Sequence, residues 1–120
     1  ISKRKKLAKL YSQQLSNTPL KLPTEKKNCR HVFHLYTVYH PKRNLIIKKL
    51  RKKNIQIKVY YPFPIHKMKA YSNMAKNKNL HLPITERMSK GIFSLPLYPN
   101  LKYSEAFKFT RILKNILKAI

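Results

Sequence analysis

The sequence predicts an α+β fold: one small domain in which about five helices pack with a short three-stranded sheet. Three observations predict it. Apolar residues recur with helical spacing at both ends of the chain, β-branched and aromatic runs of strand length lie between them, and prolines punctuate the joins. With 120 residues, 42% of them hydrophobic, the chain is long enough for one packed core and too apolar for wholesale disorder.

Leu7, Leu10, Tyr11 and Leu15 share one helical face between basic residues, so residues 2–16 read as the end of an amphipathic helix. Pro19 and Pro23 hold a non-helical connector through about Asn28. His31 to His40 is β-branched and aromatic, a strand stopped by Pro41. Residues 42–53 form a helix around Leu45, Ile46 and Leu50, with Asn54 as its stop. Ile55, Ile57, Val59 and Tyr61 alternate with polar neighbours, the period of a half-buried strand, until Pro62-Phe63-Pro64 ends it. His66 to Ala75 is a short helix and 76–79 a polar loop; Pro83 opens a helix through about Lys90. Phe93 to Tyr98 is a short strand interrupted by Pro96. Ser104 caps a last helix with a stripe at Phe109, Ile112, Leu113, Ile116, Leu117 and Ile120. The order of elements leaves parallel and antiparallel pairing open.

Composition excludes more than it suggests. A single glycine, Gly91, rules out a whole dinucleotide-binding domain or P-loop, whose tight turns need several. No apolar run reaches the 18 or so residues of a membrane span. The chain opens at Ile1 directly into a basic amphipathic segment, without a signal-peptide pattern, and reads as a piece of something longer. One cysteine, Cys29, makes no internal disulfide, which fits the cytoplasm. Twenty-eight Lys and Arg against three acids give a net charge of +25, which raises nucleic acid as a partner. The bases are spread, however, at nine, eight, six and five per successive quarter, and only six are Arg, the residue that base readout favours. A basic nucleic-acid-binding module therefore stands as an alternative, kept open by the interleaved tyrosines.

The spacing Cys29-x-His31-x2-His34 looks like a metal ligand set. Residues three apart on a strand face opposite ways, and only three carboxylates exist to complete a site, so the histidines read as hydrogen-bonded strand residues. No nucleophile elbow, Cys-His-acid set or close pair of acids is present. General acid and base work would fall to His66, but a lone histidine is usually structural or surface, so no catalytic residue is expected and the chain alone does not read as an enzyme. The richest stretch is 59–71. Tyr60 and Tyr61 end a strand, two prolines stiffen the backbone, and His66 opens the next helix, with Tyr71 further on. That sets phenols and an imidazole on a rigid loop at the mouth of a sheet, suited to polar sugars or phosphates; packing is the plainer use of such aromatics.

Several segments in order resemble the DegT/DnrJ/StrS aminotransferases: His31 to Tyr36, Arg43 with the helix to Asn54-Ile55, Tyr61-Pro62-Phe63-Pro64-Ile65-His66 with Ala70-Tyr71, Leu82-Pro83-Ile84-Thr85-Glu86, and Phe93 to Leu101. The resemblance covers nearly the whole chain. It implies the C-terminal small domain of an aspartate-aminotransferase-like (fold type I) enzyme that uses pyridoxal 5'-phosphate to aminate a nucleotide-linked keto-sugar. Glutamate would be the donor, surface polysaccharide the destination, and a cytoplasmic homodimer the assembly. Residues 1–28 would be the end of an interdomain helix and its connector, and 29–120 the small domain. The large domain, with the cofactor phosphate and Schiff-base lysine, would lie upstream, leaving this chain inactive alone; an inactive gene remnant is a further alternative. By the same resemblance the substrate-binding residues would be Tyr60, Tyr61, His66 and Tyr71. Tyr60 stands where the family has a histidine in its H-Y-P motif, Tyr61 contacts the sugar, and His66 contacts substrate or braces the loop.

Overall fold

Helix α1 (Ser2–Leu15) buries Leu7, Leu10, Tyr11 and Leu15, the stripe its spacing predicts, and Ala8 beside them. It packs on the last helix, α5 (Tyr103–Ala119), which buries Phe109, Leu113, Ile116 and Leu117 from its own stripe. The computed structural model describes residues 1–74, 76 and 78–120. Between the terminal helices run strand β1 (Tyr36–Tyr39), helix α2 (Arg43–Lys52), a 3-10 turn (Ile65–Lys67), helix α3 (Lys69–Ser72), helix α4 (Pro83–Gly91) and strand β2 (Ile92–Leu95). β1 and β2 pair antiparallel, Tyr36 opposite Leu95 and Val38 opposite Phe93. All four side chains are buried.

The core is one cluster with aromatic corners. The Tyr11 ring meets Tyr36 edge-on at 5.3 Å and Phe109 at 6.1 Å. Its hydroxyl donates to the Pro96 carbonyl at 2.5 Å, so this buried phenol is satisfied. Burial pushes the Tyr11 phenol well above the usual tyrosine range, which keeps it a neutral donor.

The sheet has two strands, not three. Residues 55–61 lie beside β2, and Ile55, Ile57 and Val59 pack against the core, but the only pairing described is one bridge, Lys58 to Ser94. Its bond is Ser94 N–H to the Lys58 carbonyl, 3.3 Å. The flanking donors on that edge are spent or missing. The Ile92 N–H closes α4 on the Met88 carbonyl, and Pro96 has none.

The first strand is shorter than its composition suggests because Phe33 adopts φ 52°. Its N–H donates to His31 Nδ1 at 2.9 Å and its ring stacks on the same imidazole at 4.2 Å. His31 thus closes a local turn instead of sitting in a strand, and no group of metal-ligating side chains occurs among the described residues. The helix expected over 66–75 is divided by extended Met68 (ψ 142°), and its end at position 75 lies outside the described residues. Ser104 does not cap α5; the cap position falls on Lys102, which makes no side-chain bond, and Ser104 is already helical.

Asn54 does stop α2. It takes φ 61°, and the N–H groups of Asn54 and Ile55 reach back to the carbonyls of Arg51 and Leu50, both at 3.0 Å. This pair of bonds is the Schellman closure, with asparagine in the left-handed position that glycine usually fills. The one glycine is placed elsewhere. At Gly91, a Cβ would sit 2.6 Å from Tyr39 Cδ2 and 2.9 Å from the His40 carbonyl, so only a residue without a side chain lets α4 turn directly into β2 against β1.

Candidate functional site

The loop 59–67 is suspended between two anchors. On its N-terminal side Lys58 is bridged to β2 through Ser94. On its C-terminal side His66, only 7% exposed, points Nε2 at Glu86 Oε1 of α4, 3.0 Å away. Between them Pro62 and Pro64 limit backbone freedom, and the side chains project outward: Tyr60 is 50% exposed, Tyr61 64% and Phe63 65%.

Glu86 is the electrostatic centre of the region. Beside His66, it takes Lys67 Nζ at 3.3 Å and His81 Nδ1 at 2.9 Å, while its own side chain is 15% exposed. The hydrogen bond from His66, and then Lys67 and the charge of His81, hold its carboxyl down at about 2, although partial burial opposes this. A carboxylate at that value only accepts, so His66 Nε2 and His81 Nδ1 both carry protons toward it. α4 is itself fixed to the body of the domain. Arg43, buried at the start of α2, donates from Nη1 to the Ser89 carbonyl at 2.6 Å and the Ile92 carbonyl at 3.2 Å.

Two cavities flank the loop. One of about 360 Å³ is lined by Arg43, Pro62, Phe63, Pro64, Glu86 and Lys90, among others. The other, about 290 Å³, brings Tyr60 together with Gln56, Lys58, Ser94 and Tyr98. The expected site residues are therefore spread. Tyr60 faces the second cavity, Tyr61 stands in the open between prolines and strand, His66 turns inward to α4, and Tyr71 lies half-exposed on α3. Sequence reasoning passed over Glu86 as a chemical centre and over Gln56, Lys58 and Tyr98 as cavity walls. A partial signal existed for Glu86, one of only three acids among 28 bases, but Glu25 and Glu105 share that scarcity and take no ion pair among the described residues. None existed for the cavity, which depends on how residues 56–60 lie against β2.

The geometry can present hydroxyls, an amide and an ammonium to a polar ligand beside apolar ring faces. At the wall of the first cavity the Glu86 carboxylate is already taken by His66 Nε2, Lys67 Nζ and His81 Nδ1.

Residues 1–114 match the DegT/DnrJ/EryC1/StrS aminotransferase family. A dTDP-3-amino-3,4,6-trideoxy-alpha-D-glucose transaminase of Micromonospora megalomicea subsp. nigra is 41% identical over 85 residues, 70% of this chain and 22% of that protein. A UDP-N-acetyl-3-dehydro-alpha-D-glucosamine 3-aminotransferase of Acidithiobacillus ferrooxidans is 27% identical over 95% of this chain and 30% of its own. Among solved structures, S. venezuelae DesV in complex with a ketimine intermediate superposes with a TM-score of 0.92 at 27% identity, covering 99% of this chain and 32% of DesV. The chain thus spans about a third or less of the length of the relatives it matches.

Proposed function

Since the chain belongs to the DegT/DnrJ/EryC1/StrS aminotransferase family, we propose that it forms the C-terminal part of a pyridoxal-phosphate-dependent aminotransferase acting on a nucleotide-linked keto-sugar. What carries this reading is the superposition on DesV over 99% of the chain, together with relatives whose names specify dTDP- and UDP-linked amino sugars. Glutamate is the proposed donor, a homodimer the proposed assembly, the cytoplasm the proposed location and surface-polysaccharide synthesis the proposed role. No helix among the described residues is long and apolar enough to cross a membrane.

The cofactor does not fit this chain alone. No lysine is among its buried side chains in the described residues, and the backbone of its one glycine is packed by Tyr39, leaving no glycine-lined cradle for a phosphate. Pyridoxal phosphate would therefore be held by residues outside this chain. The carbanion chemistry of transamination belongs to that cofactor, and no step of it is assigned to the residues described.

The part of this chain is to hold the sugar. The Tyr61 hydroxyl, on a loop stiffened by Pro62 and Pro64, donates to or accepts from a sugar hydroxyl, and Tyr60 and Tyr98 wall the adjoining cavity. Tyr61→Phe in the protein that carries this sequence is expected to lower kcat/KM for the nucleotide-sugar roughly tenfold, one lost hydrogen bond. Turnover of the amino donor alone should stay unchanged. Equal loss in both half-reactions would show that Tyr61 is structural and remove it from the site.

A further inference from the structure

We infer that Glu86 is a positioning residue: through His66 it braces the Tyr60–Phe63 shelf on α4 and so sets where the sugar-facing hydroxyls stand. This rests on the aminotransferase reading for what the shelf holds, but the brace itself stands on geometry. The chain has three acids, Glu25, Glu86 and Glu105, and every side-chain ion pair among the described residues ends on Glu86. Its two oxygens divide the work. Oε1 takes His66 and Lys67, which flank each other in the turn closing the shelf, and Oε2 takes His81, one residue before the helix cap Leu82.

Rigidity on the far side makes the brace effective. α4 is locked to α2 by Arg43 and runs without a loop into β2 at Gly91, so a point fixed to Glu86 is fixed to the sheet. Two prolines between the anchors carry that fixation to Tyr61 as a stiff link. His66, 7% exposed with its Nε2 proton given to the carboxylate, is turned away from the solvent side where Tyr61 stands. Of the two roles the resemblance allows His66, contact or brace, the geometry points to the second.

The experiment pairs two isosteric changes in the protein that carries this sequence. His66→Leu fills the same space without a donor; His66→Gln restores a donor near the Nε2 position. Amide exchange is read at Lys67 and Met68, whose N–H groups bond to Pro64 and Ile65, with the β1 and β2 amides as the internal standard. His66→Leu should speed exchange at Lys67 and Met68 roughly tenfold and raise KM for the nucleotide-sugar by a similar factor, leaving the donor half-reaction unchanged. His66→Gln, and Glu86→Gln as a milder change on the other side, should fall between Leu and the parent. Equal exchange in the Leu and Gln variants, with the strands still protected, would overturn the brace. Faster exchange with an unmoved KM would leave the brace standing and overturn the positioning role, and with it the placing of Tyr61 in the sugar pocket.

Discussion

A carboxylate amid 28 cationic side chains has no shortage of partners, yet at Glu86 geometry and not abundance decides which ones it takes. Lys67 and the two histidines converge because the 65–67 turn brings two donors, and the segment just before α4 a third, within 3.3 Å of it. Its carboxyl is held at about 2 against an ordinary 4.5, so the folded state takes up this proton less readily than the unfolded chain. The resulting stability is fully present above about pH 4.5 and is lost as pH falls through about 2. Urea midpoints of the parent and Glu86→Gln should therefore lie apart at neutral pH and converge on acidification through that window. Curves that stay parallel would show that the bond network leaves Glu86 energetically unshifted. At Tyr11 and Tyr36 the same physics runs the other way: burial raises both phenols, and each hydroxyl is bonded, to Pro96 and Ser12 respectively.

Elements in this domain are joined by backbone conformations that most sequences hand to glycine. Asn28, Asn54 and Asn79 take positive φ at turns, a conformation asparagine tolerates better than most residues. The single glycine stands instead at the α4–β2 junction, where a Cβ would press on the Tyr39 ring and the His40 carbonyl. Gly91→Ala is expected to destabilise the fold by about 1–3 kcal/mol, because the Tyr39 ring and the His40 carbonyl both have to move. A urea midpoint equal to the parent's would mean that the ring swings aside freely. The failed third strand follows from the same local bookkeeping of donors: one bridge forms at Ser94 because Ile92 and Pro96 offer β2 nothing more on that edge.

At the scale of the molecule, the packed face and the exposed face divide by role. α1, α2, α5 and the two strands enclose the core, whereas Tyr60, Tyr61, Phe63, Ile65 and Ile84 gather apolar exposure around the suspended loop and α4. An exposed apolar group of this kind is a candidate contact surface. The proposed function places no cofactor site on this chain. Borohydride trapping of pyridoxal phosphate on the chain should spread label over many of its 22 surface-rich lysines. A single dominant, stoichiometric lysine in the peptide map would overturn that.

The sequence by itself determined the α+β class, the two amphipathic terminal helices, the Asn54 stop, the Pro83 start and the family, because these rest on period, local backbone preference and ordered motifs. Strand number was beyond it. Period two in residues 55–61 points Ile55, Ile57, Val59 and Tyr61 inward; the first three do pack on the core, Tyr61 stands 64% exposed beyond it, and pairing needs a neighbour with free donors. The cap of α5 and the length of β1 depended on a Lys102 and a Phe33 whose backbone angles no propensity specifies. The chemistry of the loop was legible as residue types and illegible as an arrangement. Twenty residues separate His66 from Glu86, and only the packing of α4 against α2 and the sheet brings the imidazole and the carboxylate within hydrogen-bonding distance.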